Sequence, residues 1–276
     1  MNPGHTGPWE DALAHVPGAQ SGADLRVRPL AGGTTNATFR VETREGTFVV
    51  RLHEPYTLDL GVDRRREAVL HAAAAAAGLA SRILAADPQG RYLVTEFLTT
   101  STWRAADLAD ESRLRQLAQT LGELHALPAP EMPPLDLARL LDHHIAQIAA
   151  QDGAVTQELL SQVTHARDIL ARQADAGRPA CIIHGDLTHS NLMGTEPLRL
   201  IDWEYAAVGD PLADLACLLA YYPRVLPQGA LLLQQCGLAG SAPLEALEDL
   251  AWVYRLISDL WYRRLALARL HRPPAH

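Results

Sequence analysis

The sequence predicts an α+β chain of two unequal lobes, a small antiparallel sheet with one helix at the amino end and a larger, mainly helical part behind it. Short runs with strand patterning, separated by turns rich in Gly and Asp, occupy most of residues 25–97. Beyond Leu98 the apolar spacing changes to the helical period. Two short β-rich runs then interrupt the helices, and each leads straight into acidic residues. The expected division is residues 1–98 for the amino-terminal lobe and 99–276 for the helical lobe, with a ligand cleft between them.

In the first lobe, residues 25–30 alternate apolar and polar, AGGTTNAT breaks the pattern, and residues 39–42 resume it before a turn at 44–46. TFVVRLH, residues 47–53, is a third strand. Residues 63–77 are strong helix formers without Pro or Gly, and Asp63 stands where an N-cap belongs. Two more strands, 83–86 and 92–97, flank the DPQG turn. In the second lobe, helices are expected over 110–127, 135–150, 155–174, 211–222 and 244–270. The β-rich runs are ACIIH at 180–184 and LRLIDW at 198–203. The proline-rich stretch 128–134 reads as a connection within the helical lobe.

Composition narrows the function. The 276 residues are 48% hydrophobic and 20% charged, enough for a sizeable core in one large domain or two intimate lobes. The Ala-rich run 72–80 falls well short of the roughly 20 apolar residues of a membrane span, and the amino end lacks a basic stretch followed by an apolar one. A cytoplasmic protein with no membrane partner is expected. Cys181, Cys217 and Cys236 form no CxxC pair and no even disulfide framework, so they read as small buried hydrophobes. A net charge of −8 argues against nucleic acid and favours cationic ligands. All 24 basic side chains are arginine, which excludes a Walker A loop and a pyridoxal Schiff base, since both need lysine.

The most specific feature is HGDLTHSN at 184–191, with Asp202 eleven residues after Asn191 at the end of an apolar run. Phosphoryl transfer needs little covalent help: a hydroxyl must be placed in line and the phosphate charge neutralised. An aspartate on a tight loop accepts the hydroxyl proton, while an amide oxygen and a second carboxylate suit magnesium. HxDxxxxN followed by IDWE resembles the catalytic segments of aminoglycoside phosphotransferases, choline kinases and bacterial thiamine kinases, and the likeness spans nearly the whole chain. The resemblance implies a two-lobed protein-kinase-like fold using ATP and Mg2+, with Asp186 as catalytic base and Asn191 and Asp202 as metal ligands. It gives His184 a structural role in bracing the catalytic loop. IDWEYAAVGDPLADLA, residues 201–216, sharpens the match, and Asp214 is expected to bond back to that loop.

Gly32 and Gly33, with Thr34, Thr35 and Asn36, look like the family's nucleotide-positioning loop, because glycine lets backbone approach phosphate. Arg51 in FVVRL is the candidate phosphate cation, and Glu67 its ion-pair partner, although RRRE could equally be a solvated helix face. Glu96, Phe97 and Leu98 resemble the connector on which relatives lay adenine. Glu204, on an extended segment with Asp202, would face the same way. Trp252, Tyr254, Trp261 and Tyr262 read first as core packing on the last helix. Trp252 and Trp261 are also candidates for the acceptor site, with Glu204 or Asp210 as a charge partner. The expected acceptor is a small-molecule hydroxyl, favoured as a cationic alcohol such as choline or thiamine. The alternatives are an antibiotic phosphotransferase and a kinase-like nucleotide-binding protein without catalysis.

Overall fold

The computed structural model describes residues 7–21, 24–30, 36–54, 61–152 and 155–270. Gly32, Gly33, Thr34 and Thr35 of the expected nucleotide loop lie outside the described residues. A short helix, α1 (Pro8–Leu13), precedes β1 (Arg26–Pro29), β2 (Asn36–Thr43) and β3 (Gly46–His53). Helix α2 (Arg64–Ala76) follows, then β4 (Ile83–Ala86) and β5 (Tyr92–Glu96). The five strands form one antiparallel sheet in the order β1-β2-β3-β5-β4. Alternation along β3 sends Phe48 and Val50 into a small core with Ala12, Val16, Val41, Tyr92 and Val94, beneath α1. Arg51, paired with Thr38 and Leu93 in register, points to the opposite face, toward the helical lobe. Helix α1 escaped the sequence reading because its six residues bury only Ala12, too little for a periodic signal. Asp63 caps α2 as expected, accepting the backbone N–H groups of Arg65 and Arg66 at 3.0 Å.

The helical lobe contains α3 (Glu111–His125), α4 (Leu137–Asp152) and α5 (Gln157–Asp175). Short strands β6 (Cys181–Ile183), β7 (Leu192–Met193), β8 (Arg199–Leu200) and β9 (Ala207–Gly209) come next. Helices α6 (Leu212–Tyr221), α7 (Gly229–Gln235) and α8 (Leu244–Leu270) complete the described chain. Leucines of α3, α6 and α8, among them Leu117, Leu121, Leu215, Leu218 and Leu247, are fully buried in one core. Each contributes roughly 1.5–3 kcal/mol by burial. That core, rather than the two-residue ladder β7–β8 or the three-residue ladder β6–β9, is the platform on which residues 184–191 rest. The three cysteines are buried and free. No helix among the described residues is long and apolar enough to cross a membrane.

One element differs from the sequence expectation where it matters. The run 198–203 is a strand only at Arg199–Leu200, because Asp202 adopts left-handed backbone (φ 64°, ψ 67°) and Trp203–Tyr205 form a single 3-10 turn. Glu204 therefore does not lie on an extended segment with Asp202. The turn instead carries it toward α2.

Candidate active site

The segment 184–191 leaves β6 and runs along α6, from Asp214 in its first turn to Tyr222 at its end. His184 is fully buried, and its backbone N–H donates to both oxygens of Asp214 at 3.0 and 3.1 Å. The Gly185 N–H reaches the same carboxylate at 2.9 Å, and His125 at the end of α3 contributes a third partner at 2.9 Å. Burial works to raise Asp214, but the bonds from His125 and Gly185 hold its carboxyl below the usual range. Gly185 has φ +77°, and a Cβ there would stand 2.5 Å from the Tyr205 carbonyl oxygen, so only glycine fits. The His184 ring joins the two halves of the site: Nε2 lies 3.0 Å from the Ile201 carbonyl, and Nδ1 faces the Asp186 N–H at 3.3 Å. Burial depresses its pKa, which favours the neutral ring that donates on one side and accepts on the other.

Asp186, Asn191 and Asp202 converge on one cavity wall. The Asn191 amide nitrogen donates to the Asp186 carbonyl at 2.8 Å and to its carboxylate at 2.9 Å. Burial first, then the charge of Asp202, pushes the Asp186 carboxyl up to about 7, while Asn191 pulls the other way. Arg51 Nη1 donates to Asp202 at 2.7 Å, and its other terminal nitrogen is ion-paired with Glu67. Burial and Glu204 raise Asp202 to about 6 against the pull of Arg51 and Arg64, and its side chain is 37% exposed, with part of it open to the cleft.

Sequence reasoning missed Arg64, which RRRE offered as an ordinary surface charge. It is 8% exposed and joins three elements. Nη1 donates to Glu67 at 2.8 Å and to Glu204 at 3.1 Å, and Nη2 donates to Asn36 Oδ1 at 2.9 Å. The Asn36 amide nitrogen closes the circuit to Glu204 at 2.9 Å. Glu204, 4% exposed, is thus an interlobe tie as well as a cavity-lining group. Two guanidiniums, Arg51 and Arg64, are set against the carboxylates of Glu67, Glu204, Asp202 and Asp186. That surplus of negative charge, with the hard oxygens of Asn191 and Asp202, fits a divalent cation. Two protein ligands suit magnesium, which keeps water and substrate phosphate in its remaining positions.

A cavity of about 940 Å³ extends from this floor, walled by Tyr205, Tyr221, Trp261 and Tyr262 and by the proline-rich segment 130–134. Trp252 is not part of it: its ring packs against His165 at 5.0 Å. Asp210 is also elsewhere, bonded to Arg178 at 2.6–3.0 Å and capping α6 through the Leu212 N–H at 2.9 Å. Glu96, Phe97 and Leu98 border a separate recess of about 470 Å³. The Glu96 side chain pairs with Arg82, and the Glu96 and Phe97 N–H groups are already bonded to the carbonyls of Arg82 and Thr47, at 3.0 and 3.1 Å.

Residues 26–250 match the model of a family described as the phosphotransferase enzyme family. The chain belongs to that family. Among solved structures, this phosphotransferase is similar to a choline/ethanolamine kinase family protein from Mesorhizobium loti (TM-score 0.72, 22% identity, 96% of this chain and 87% of the other). It is also similar to the choline kinase LicA of Streptococcus pneumoniae (TM-score 0.74, 19% identity, 93% and 90%). A thermostable aminoglycoside phosphotransferase in complex with ADP and hygromycin B gives a TM-score of 0.63 at 16% identity over 92% and 97%. At these identities the likeness establishes the fold, and the phosphotransferase has the two-lobed kinase-like architecture anticipated from its motifs. No curated protein matches its sequence.

Proposed function

We propose that the protein transfers the γ-phosphate of ATP to a hydroxyl of a small cationic alcohol of the choline or thiamine type. The observation that carries this reading is the convergence of Asp186, Asn191 and Asp202 on one wall of a cavity whose other walls are aromatic. Asp186 takes the hydroxyl proton, since a base near neutrality is suited to that transfer. Asn191 and Asp202 would hold magnesium, which neutralises phosphate charge when bound. Arg51, kept in place by Glu67, contacts the phosphates, and the stretch 32–36 is read as the nucleotide loop on the strength of the resemblance alone. The Glu96 carbonyl and the Leu98 amide are the connector groups assigned to the adenine edge, because the Phe97 N–H between them is already bonded to the Thr47 carbonyl. The functional lobes divide near Leu98, into 1–98 and 99–276, and the working compartment is the cytoplasm. Trp261, Tyr205 and Tyr221 line the cavity and are the rings assigned to the acceptor cation, with about 0.5–2 kcal/mol available per well-placed ring.

A coupled ADP-release screen over choline, ethanolamine, thiamine, homoserine, methylthioribose, aminoglycosides and macrolides tests the acceptor. Turnover is expected on choline or thiamine, with the acceptor KM raised about tenfold in Trp261→Ala. Turnover on an aminoglycoside with none on either cationic alcohol would sink the reading.

Arg51→Ala should weaken Mg–ATP binding by about 1.5–3 kcal/mol, the worth of a charge-assisted hydrogen bond, and Arg51→Lys should recover part of it. Titration calorimetry on both variants checks this. Parent-like affinity in both removes Arg51 from the phosphate site.

A further inference from the structure

Four backbone N–H groups of the catalytic segment, those of His184, Gly185, Leu187 and His189, are taken up by side chains along α6 and at its C-terminal end. Asp214 accepts those of His184 and Gly185. Three residues on, Cys217 Sγ accepts the Leu187 N–H at 3.4 Å, and its thiol lies 3.6 Å from the Gly185 carbonyl oxygen. Eight residues on from Asp214, at the end of α6, the Tyr222 hydroxyl accepts the His189 N–H at 3.0 Å. Its oxygen is also 2.5 Å from His189 Nδ1, and the rings meet edge to face at 5.9 Å. Asp214 and Cys217, three residues apart, share one side of α6, and Tyr222, the residue that ends the helix, extends the series. The contacts therefore fall before, around and after Asp186, in the same order along α6 as along the segment.

We propose that, beyond the Asp214 contact, Cys217 and Tyr222 are positioning residues that hold Asp186 and Asn191 in their mutual geometry. This rests on the phosphotransfer role given to the segment above. Thr188 N–H bonds to the Asp186 carbonyl and Asn191 N–H to the Thr188 carbonyl, so the segment is a chain of local turns. Such turns move as a unit unless something outside them fixes the far end. Tyr222 supplies that point at His189, midway between Thr188 and Ser190, while Cys217 brackets Asp186 from both sides. The Tyr222 hydroxyl, protonated because burial raises its pKa, accepts the backbone His189 N–H and donates to His189 Nδ1 when that ring carries its proton on Nε2. Two bonds from one hydroxyl define an orientation as well as a distance. A shift of about 1 Å in a reacting group is enough to cost two orders of magnitude in rate.

Tyr222→Phe removes the hydroxyl and keeps the ring. In the full chain, kcat should fall about tenfold or more, with KM for ATP within about twofold of the parent. Amide hydrogen exchange in the peptide covering 184–191 should accelerate about tenfold and be unchanged elsewhere. Cys217→Ser, which keeps a donor and an acceptor, should retain more turnover than Cys217→Ala. Unaltered exchange in the 184–191 peptide of Tyr222→Phe overturns the proposal, as does exchange rising across the whole protein or equal activity in the two Cys217 variants. Exchange is read without any acceptor, so a parent enzyme that phosphorylates none of the alcohols screened defeats the proposed function while the positioning role is still decided.

Discussion

Asp186→Asn is expected to lower turnover about 10²- to 10⁴-fold while Mg–ATP affinity stays close to that of the parent. The substitution keeps the side-chain shape, and the new amide oxygen can still accept the bond that Asn191 now gives to the carboxylate at 2.9 Å. What disappears is the proton acceptor. Burial and the charge of Asp202 bring the Asp186 carboxyl to about 7, where a carboxylate is a much better base than it is in water. Steady-state kinetics at saturating ATP, with calorimetry on a non-hydrolysable analogue, separates the two effects. Near-native turnover at saturating ATP would assign the base elsewhere. A parallel loss of nucleotide affinity would mean that Asp186 organises the phosphate site rather than taking a proton.

Much of this arrangement is legible in the sequence, for physical reasons that differ from place to place. Strand β2 declares itself through alternation, because Val41 packs into the small core under α1, whereas β3 and β5 show as short apolar, β-branched and aromatic runs bounded by turns. Helices α2 and α3 declare their starts through Asp63 and Asp110, whose carboxylates accept N–H groups in the first turn. The motif at 184–191 is local, so its spacing survives reading in one dimension. Arg64 and Glu204 are not legible that way. A charged residue in RRRE has the same local pattern whether it meets water or a buried carboxylate, and the partner of Arg64 comes from 140 positions along the chain. His125 is similar: LGELH reads as the end of an amphipathic helix, and its bond to Asp214 spans 89 positions. The two tryptophans of α8 could have been separated in advance. They stand nine residues apart, which is two and a half turns and therefore opposite faces. Tyr254, Ser258 and Trp261 share the cavity face at helical spacing, whereas Trp252 is turned toward His165.

Asp202→Asn should abolish the magnesium dependence of nucleotide binding and with it nearly all turnover. Asparagine is the informative replacement because Asp202 sits at φ 64°, a left-handed conformation that Asn tolerates and that most residues adopt only at a cost of about 1–2 kcal/mol. Alanine would mix that backbone penalty with the loss of charge. With Asn, the turn that carries Trp203 and Glu204 into the interlobe network should stand, and the melting temperature should remain within a few degrees of the parent. Electrostatics nevertheless change sharply. Arg51 loses its carboxylate partner at 2.7 Å, so the remaining anions no longer outweigh the two buried guanidiniums as strongly, and the attraction for a divalent cation falls. Nucleotide affinity measured with magnesium and with a chelator should differ clearly in the parent and converge in the variant. Magnesium still tightening nucleotide binding by the parental factor in Asp202→Asn would remove Asp202 from the metal site and leave it as a partner of Arg51 alone.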